Sequence, residues 1–372
     1  MKLKLLGIAV TALILASCGK KEAAPAGAAE EEKVLNVYNW SDYIAPDTLA
    51  NFEKETGIKV TYDVFDSNEV LETKLVTGNT GYDVVVPSLT FLARQIQAGV
   101  FMPLDKSKIP NLANMDPAIQ ANIAVLDPDN AHSVNYLWGT TGIGYNVAKI
   151  KEVFGDAAPT DSWAMVFEPE NLAKLKECGV YFLDTPSEII PPVLKYLGEE
   201  PNSFDPAVIA KAEERLKLLR PSITQFHSSE YINALANGDA CVAVGWSGDI
   251  LQAQDRAAEA KNGVEIAYVI PKEGAPMWFD MMAIPKDAKH PNNAHIFINY
   301  LLRPEVAAEI SNYVSYASAN KAAFEKIDPE LKANTGVYPT PEASKGLFSL
   351  AVLPADVDRL FNRIWTGLKT GK

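Results

Sequence analysis

The chain has 372 residues and carries 34 Lys and Arg against 47 Asp and Glu, a formal net charge of −13. That balance argues against a nucleic-acid partner, whose binding rests on clustered basic side chains. It mildly favours cationic ligands, although it serves ordinary solubility as well.

The first residues read as an export signal. Lys2 and Lys4 precede an uncharged run over residues 5–16, then Ser17 and Cys18. The run is too short to span a bilayer. LASC, residues 15–18, looks like the lipobox of bacterial lipoproteins, implying a signal peptide over 1–17 and a lipid on Cys18. A plain secretory signal with an incidental Cys is the alternative. Residues 18–33 then form a lipid-bearing Cys and a flexible tether, because they are rich in Ala, Glu and Gly without apolar periodicity. With Cys18 taken by lipid, Cys178 and Cys241 remain as an even pair in an oxidising compartment, so a disulfide is expected, with two buried free thiols as the alternative.

From residue 34 strand-like and helix-like segments alternate. Residues 34–39 read as a strand, 47–56 as a helix ended by Gly57, and 59–64 as a second strand. Residues 68–77 follow as a helix ended by Gly78, then 82–87 (YDVVVP) as a buried strand. Later strands are expected at 142–146, 240–245, 265–270 and 281–284. This β-α-β-α-β order predicts an α/β fold with a mostly parallel sheet and ligands beyond the strands' carboxyl ends. The mature length suits two domains, and no internal repeat is visible.

Catalytic and metal motifs are wanting. None of the four His (His132, His227, His290, His295) has a metal-ligand partner at i+4, and no paired CxxC occurs. GWSGD, residues 245–249, lacks the final Gly of a nucleophile elbow. GTTGIG, residues 139–144, runs into a strand instead of opening a helix, and no Walker A sequence is present. Asp42, Glu188, Asp249 and Asp280 are by type candidates for paired-carboxylate hydrolysis, but nothing positive selects an enzyme, a cofactor or a metal.

Four stretches instead join large rings to acids or hydroxyls, and the three Trp–acid pairs among them stand at or beside expected strand ends. They are Trp40-Ser41-Asp42-Tyr43, Trp246-Ser247-Gly248-Asp249, Trp278-Phe279-Asp280 and Ser315-Tyr316. Core tryptophans with acids as turns or caps would read the same way for any one of them. Together they suit an alkyl ammonium, which has three donors, no acceptor and a methylene stem. Its buried charge needs a carboxylate, and aromatic faces add about 0.5–2 kcal/mol each. Carboxylates at both ends with rings between would suit a linear diamine.

YNWSDYIAPDTLANFEKETGIKVTYDVFDSNEVLETKL, GYDVVVPS, TTGIGYN, FHSSEYINALANGDACVAVGWSGD and IPKEGAPMWFD closely resemble the periplasmic putrescine/spermidine-binding proteins of bacterial polyamine ABC transporters. The resemblance runs from about residue 34 to the C-terminus. It implies a two-lobed type II solute-binding fold, each lobe a mixed sheet flanked by helices, with polyamine in the cleft between. Lobe 1 would hold 34–138 and 281–314, and lobe 2 139–280 and 315–372. It implies a monomer that delivers polyamine to a membrane permease driven by a separate ATPase. Trp40, Tyr43, Trp246, Trp278 and Tyr316 would wall the methylene chain. Asp249 and Asp280 would receive ammonium groups, with Glu188 near the far end. Ser41, Asp42 and Ser88 would add oxygen acceptors, Phe279 would pack behind Trp278, and Cys178 and Cys241 match the family's disulfide pair.

Trp278 leans toward spermidine, since putrescine-preferring relatives tend to carry Phe there. Thr185 leans the other way, standing where spermidine binders have an additional acid, so neither polyamine is preferred. Alternatives are a polyamine-sensing lipoprotein, or a receptor for agmatine or a basic amino acid. An amino acid would need an Arg for its carboxylate, and Arg94 lies nearest in sequence to Ser88.

Overall fold

Val34, Leu35, Val37 and Tyr38 make the first strand, β1 (Val34–Trp40), which pairs in parallel with β2 (Lys59–Phe65) and β3 (Val84–Val85). In the computed structural model, which describes residues 31–371, these strands carry the first half of the body. The signal peptide, Cys18 and nearly all of the tether lie outside the described residues. Between the strands, α1 (Thr48–Thr56) ends at Gly57, whose φ of 72° is the left-handed turn that glycine permits. The next helix, α2 (Asn68–Thr77), is capped by Ser67, whose side chain accepts from the Val70 N–H.

The remaining strands are β4 (Ser133–Asn146), β5 (Val180–Phe182), β6 (Gln225–Phe226), β7 (Val242–Trp246), β8 (Ile266–Val269), β9 (Pro276–Ala283) and β10 (Phe348–Ser349). Their order is β2-β1-β3-β9-β4-β7-β5-β6, with β10 beside β9 and β8 beside β4. The parallel arrangement expected from the opening segments holds for β1–β3, whereas β9 runs antiparallel to β3 and β4 antiparallel to β9. The sheet is therefore mixed.

Three expected strands differ in extent. Only Val84–Val85 of 82–87 pairs as a strand. The strand expected at 142–146 begins nine residues earlier, at Ser133, and is buried almost throughout. Asn135, Thr140 and Thr141 are buried inside it and break the apolar signal. The strand expected at 281–284 begins at Pro276, so Trp278, Phe279 and Asp280 stand within β9 and not at a strand end.

β4 serves both halves of the sheet. Through Thr140 it pairs with β9, and from Thr141 onward with β7 and β8. Cys178 and Cys241 stand just ahead of the parallel neighbours β5 and β7, so their Cα atoms lie 5.5 Å apart and the sulfurs are joined at 2.01 Å. Closing a sequence separation of 63 is worth about 4 kcal/mol on the chain-entropy model. After β5 in the chain, the helix Pro186–Tyr196 buries Ile189, Ile190, Val193 and Leu194, which fixes Glu188 on its first turn.

Candidate ligand-binding cavity

Seven pieces of backbone deliver side chains to one cavity of about 360 Å³. The end of β1 brings Trp40, Ser41 and Tyr43, and the segment after β3 brings Ser88. The last residue of β7 is Trp246, and the helix Ser247–Ala260 that follows carries Asp249 in its first turn. β9 contributes Trp278 and Asp280. The helix Pro304–Val314 ends at Ser315 in a left-handed conformation, φ 57°, which turns the chain into Tyr316. Glu188 and Ser228 complete the set.

The rings are fixed by their polar edges. Trp40 donates its indole N–H to the Val86 carbonyl at 2.9 Å, Trp246 to Glu188 Oε2 at 2.9 Å, and Trp278 to Thr141 Oγ1 at 3.2 Å. Trp40 meets Trp246 edge-on at 5.3 Å, and Tyr316 meets Tyr43 at 5.0 Å and Trp278 at 5.5 Å between ring centroids. Two glycines permit this packing. A Cβ at Gly248 would lie 2.4 Å from the Tyr316 ring, and one at Gly139, opposite Trp278, would lie 2.9 Å from that indole.

Three carboxylates are buried here: Asp280 at 3%, Asp249 at 5% and Glu188 at 5% exposure. Asp280 accepts from Ser88 Oγ at 2.6 Å and Tyr43 Oη at 2.8 Å. Asp249 accepts from Tyr316 Oη at 2.7 Å and Tyr231 Oη at 2.8 Å. On Glu188, Thr141 Oγ1 and Trp246 Nε1 both donate to Oε2. Burial pushes all three acids up to about 7 against the pull of these donors. Neighbouring acids add to the rise: Asp42 acts on Asp249, Asp249 on Asp280, and Asp280 and Glu69 on Glu188. Among the described residues no Lys or Arg lines the cavity. Such a row of desolvated acids among rings is chemically suited to a cation with N–H donors and an apolar stem.

Of the eleven side chains marked out in the sequence, ten line this cavity: Trp40, Ser41, Tyr43, Ser88, Glu188, Trp246, Asp249, Trp278, Asp280 and Tyr316. Asp42 does not. Its backbone takes a positive φ of 53°, and its carboxylate pairs with Arg256 Nη2 at 2.6 Å in a partly exposed ion pair. Phe279 is buried with its ring 6.2 Å from that of Trp138, and lines a neighbouring cavity. Arg94 is occupied by Glu72 and Asp358, so it supplies no carboxylate clamp to the cavity. Among the described residues no group of three or more His, Cys, Asp or Glu could hold a metal ion.

Sequence reasoning missed four participants. Ser228 lines the cavity, while Tyr231, Thr141 and Arg256 act one layer out on Asp249, Glu188 and Asp42. Tyr231 and Arg256 lie on helices whose periodicity marks them only as a buried and an exposed position. Thr141 sits within GTTGIG, where glycines dominate the reading. Ser228 is one of two adjacent serines, and nothing in sequence separates them.

The sequence pattern of the bacterial extracellular solute-binding proteins matches residues 47–339. The putrescine-binding periplasmic protein PotF of Escherichia coli (strain K12) is 57% identical over 345 residues, covering 92% of this chain and 93% of that protein. Among solved structures, the spermidine/putrescine ABC transporter substrate-binding protein PotD of Streptococcus pneumoniae superposes with a TM-score of 0.71 at 32% identity, covering 91% of this chain and 99% of its own. The Tp0655 (TpPotD) lipoprotein of Treponema pallidum gives a TM-score of 0.74 at 28% identity, covering 90% of this chain and 99% of its own. Fold and sequence agree: the chain belongs to the bacterial extracellular solute-binding proteins and has their mixed α/β, two-lobed type II fold.

Proposed function

We propose that this protein is an extracytoplasmic receptor that captures a polyamine, putrescine or spermidine, and hands it to an ABC-type permease for uptake, without transforming it. One observation carries the reading. Three carboxylates, each at most 5% exposed, share a ring-walled cavity with no basic side chain. Ionised and unpaired, such groups are strongly unfavourable, and a linear amine with a charge at each end relieves them. The putrescine-binding protein of Escherichia coli and the spermidine/putrescine transporter protein of Streptococcus pneumoniae named above support the choice.

In this reading Asp249 and Asp280 receive ammonium groups and Glu188 holds the far one. Trp40, Tyr43, Trp246, Trp278 and Tyr316 cover the methylenes, and Ser41 and Ser88 add oxygen acceptors. With lobe 1 as 34–138 plus 281–314 and lobe 2 as 139–280 plus 315–372, Asp42 and Arg256 lie on opposite lobes. Their ion pair then acts as a rim contact of the closed form, in place of the acceptor role expected for Asp42. The receptor works as a monomer tethered through a lipid on Cys18.

Calorimetric titration of residues 19–372, stripped of carried-over ligand, tests the reading. Micromolar or tighter binding of putrescine or spermidine, with arginine silent, is expected; no heat with either polyamine would overturn it. A Cys18→Ala precursor should leave the membrane fraction, and full retention there would refute the lipid anchor.

A further inference from the structure

Glu188 stands between two cavities. The ring-walled one shares Ser88, Glu188 and Trp278 with a larger chamber of about 1080 Å³. The two hydrogen bonds that hold the Glu188 carboxylate both end on Oε2, which leaves Oε1 to a ligand nitrogen at the junction. Beyond the junction the walls change character. Leu89, Phe91, Leu126, Met277, Phe279 and Leu350 dominate, and among the described residues Glu188 is the only carboxylate in the lining. Glu69, the next acid along, lines neither cavity and accepts hydroxyls from Thr185 and Ser187, each at 3.1 Å. Val125 in its wall is 77% exposed, so the chamber opens to solvent beside it and sets no sharp limit on length.

An alkylated ammonium keeps its charge and two N–H donors, so it can stay paired with Glu188 while its substituent leaves through the junction. Apolar walls reward an uncharged chain. A further ammonium in the same place would give up part of its hydration to apolar walls and find no second carboxylate, only the neutral oxygens of Asn68, Thr90, Asn122, Ser187 and Ser349. Resting on the amine reading of the first cavity, we infer that the chamber receives an uncharged substituent on the nitrogen held at Glu188. The protein therefore takes N-alkylated diamines alongside the parent diamine, and favours them over a triamine of equal length.

The test is calorimetric titration of residues 19–372 with putrescine, N-butylputrescine and spermidine. The last two have the same number of heavy atoms and differ only in a terminal methyl or ammonium. N-butylputrescine should bind within about tenfold of putrescine, and spermidine at least about tenfold more weakly than N-butylputrescine. Leu126→Trp and Leu350→Trp, which fill the chamber, should each weaken N-butylputrescine by about tenfold or more and leave putrescine within about twofold. Putrescine binding by each variant shows that its cavity is intact. N-butylputrescine weaker than putrescine by more than tenfold, or spermidine equal to or tighter than N-butylputrescine, would overturn the inference while leaving the amine reading standing. If none of the three binds, the amine reading fails and this inference with it.

Discussion

The two aspartates and the glutamate of the cavity are equally buried yet differently held. Asp249 and Asp280 each receive a hydroxyl on both oxygens, from Tyr316 and Tyr231 in one case and Ser88 and Tyr43 in the other. Glu188 receives both of its donors on one oxygen. Carboxylates clamped on both sides have one geometry to offer, and lone pairs to spare for an ammonium. A carboxylate clamped on one side leaves the other oxygen to whatever nitrogen arrives. The cavity thus has a rigid part that fixes position and an adaptable part that tolerates substitution.

The largest effect should come from the rigid part. Asp249→Ala or Asp280→Ala should each weaken putrescine binding by at least ~2 kcal/mol in calorimetry, because a buried ammonium loses its partner. Glu188→Gln, which keeps an oxygen for Thr141 and Trp246, should weaken it by about 1–2 kcal/mol. Equal losses at all three positions would erase the contrast.

Protonation offers a second way in. The three acids sit at about 7 in the ligand-free protein, and a bound ammonium pulls them down, so binding releases protons. Affinity should rise with pH up to about 7 and level off above it, by about tenfold per pH unit for each proton released. The ligand-free protein binds more protons at these sites than its unfolded chain does between the ordinary carboxylate range and about 7. Its stability should therefore fall across that window as pH rises, and saturating ligand should flatten the fall. Melting temperatures with and without putrescine would check both signs.

Smaller effects separate the supporting groups. Tyr231→Phe or Tyr316→Phe removes one of the two hydroxyls that lower Asp249. Each should cost about 1 kcal/mol of affinity and move the pH midpoint upward. Arg256→Ala breaks a partly exposed pair with Asp42 and a hydrogen bond to Asn233 Oδ1 and should cost less than about 1 kcal/mol, a loss that added salt reduces.

What could be read beforehand follows from local chemistry. The β1 strand and α2 announce themselves through apolar runs and glycine stops, and α2 spans Asn68–Thr77 as its spacing predicts. The rings and acids of the cavity were legible because an acid beside tryptophan is a conspicuous pairing. The first half of β4 was not, since its buried Asn135 and Thr140 look like loop residues until their partners across the sheet are known. The same reason hides the start of β9. Asp42 shows the opposite error: residue type and neighbours place it in the cavity, but its left-handed backbone directs it to Arg256. Tyr231 and Thr141 earn their roles only through contacts 18 and 47 residues away in sequence, which no local pattern encodes.

Thr141 is also the residue at which β4 changes partners, from β9 to β7 and β8. Its hydroxyl accepts the Trp278 N–H from β9 and donates to Glu188. One strand is therefore a common girder for both halves of the sheet, and the residue at which it changes partners is bonded to Glu188. In the proposed reading, an ammonium paired with Glu188 stands two hydrogen bonds from Trp278 of β9 by way of the Thr141 hydroxyl, so the residue at which the strand changes partners lies directly behind the ligand's charge.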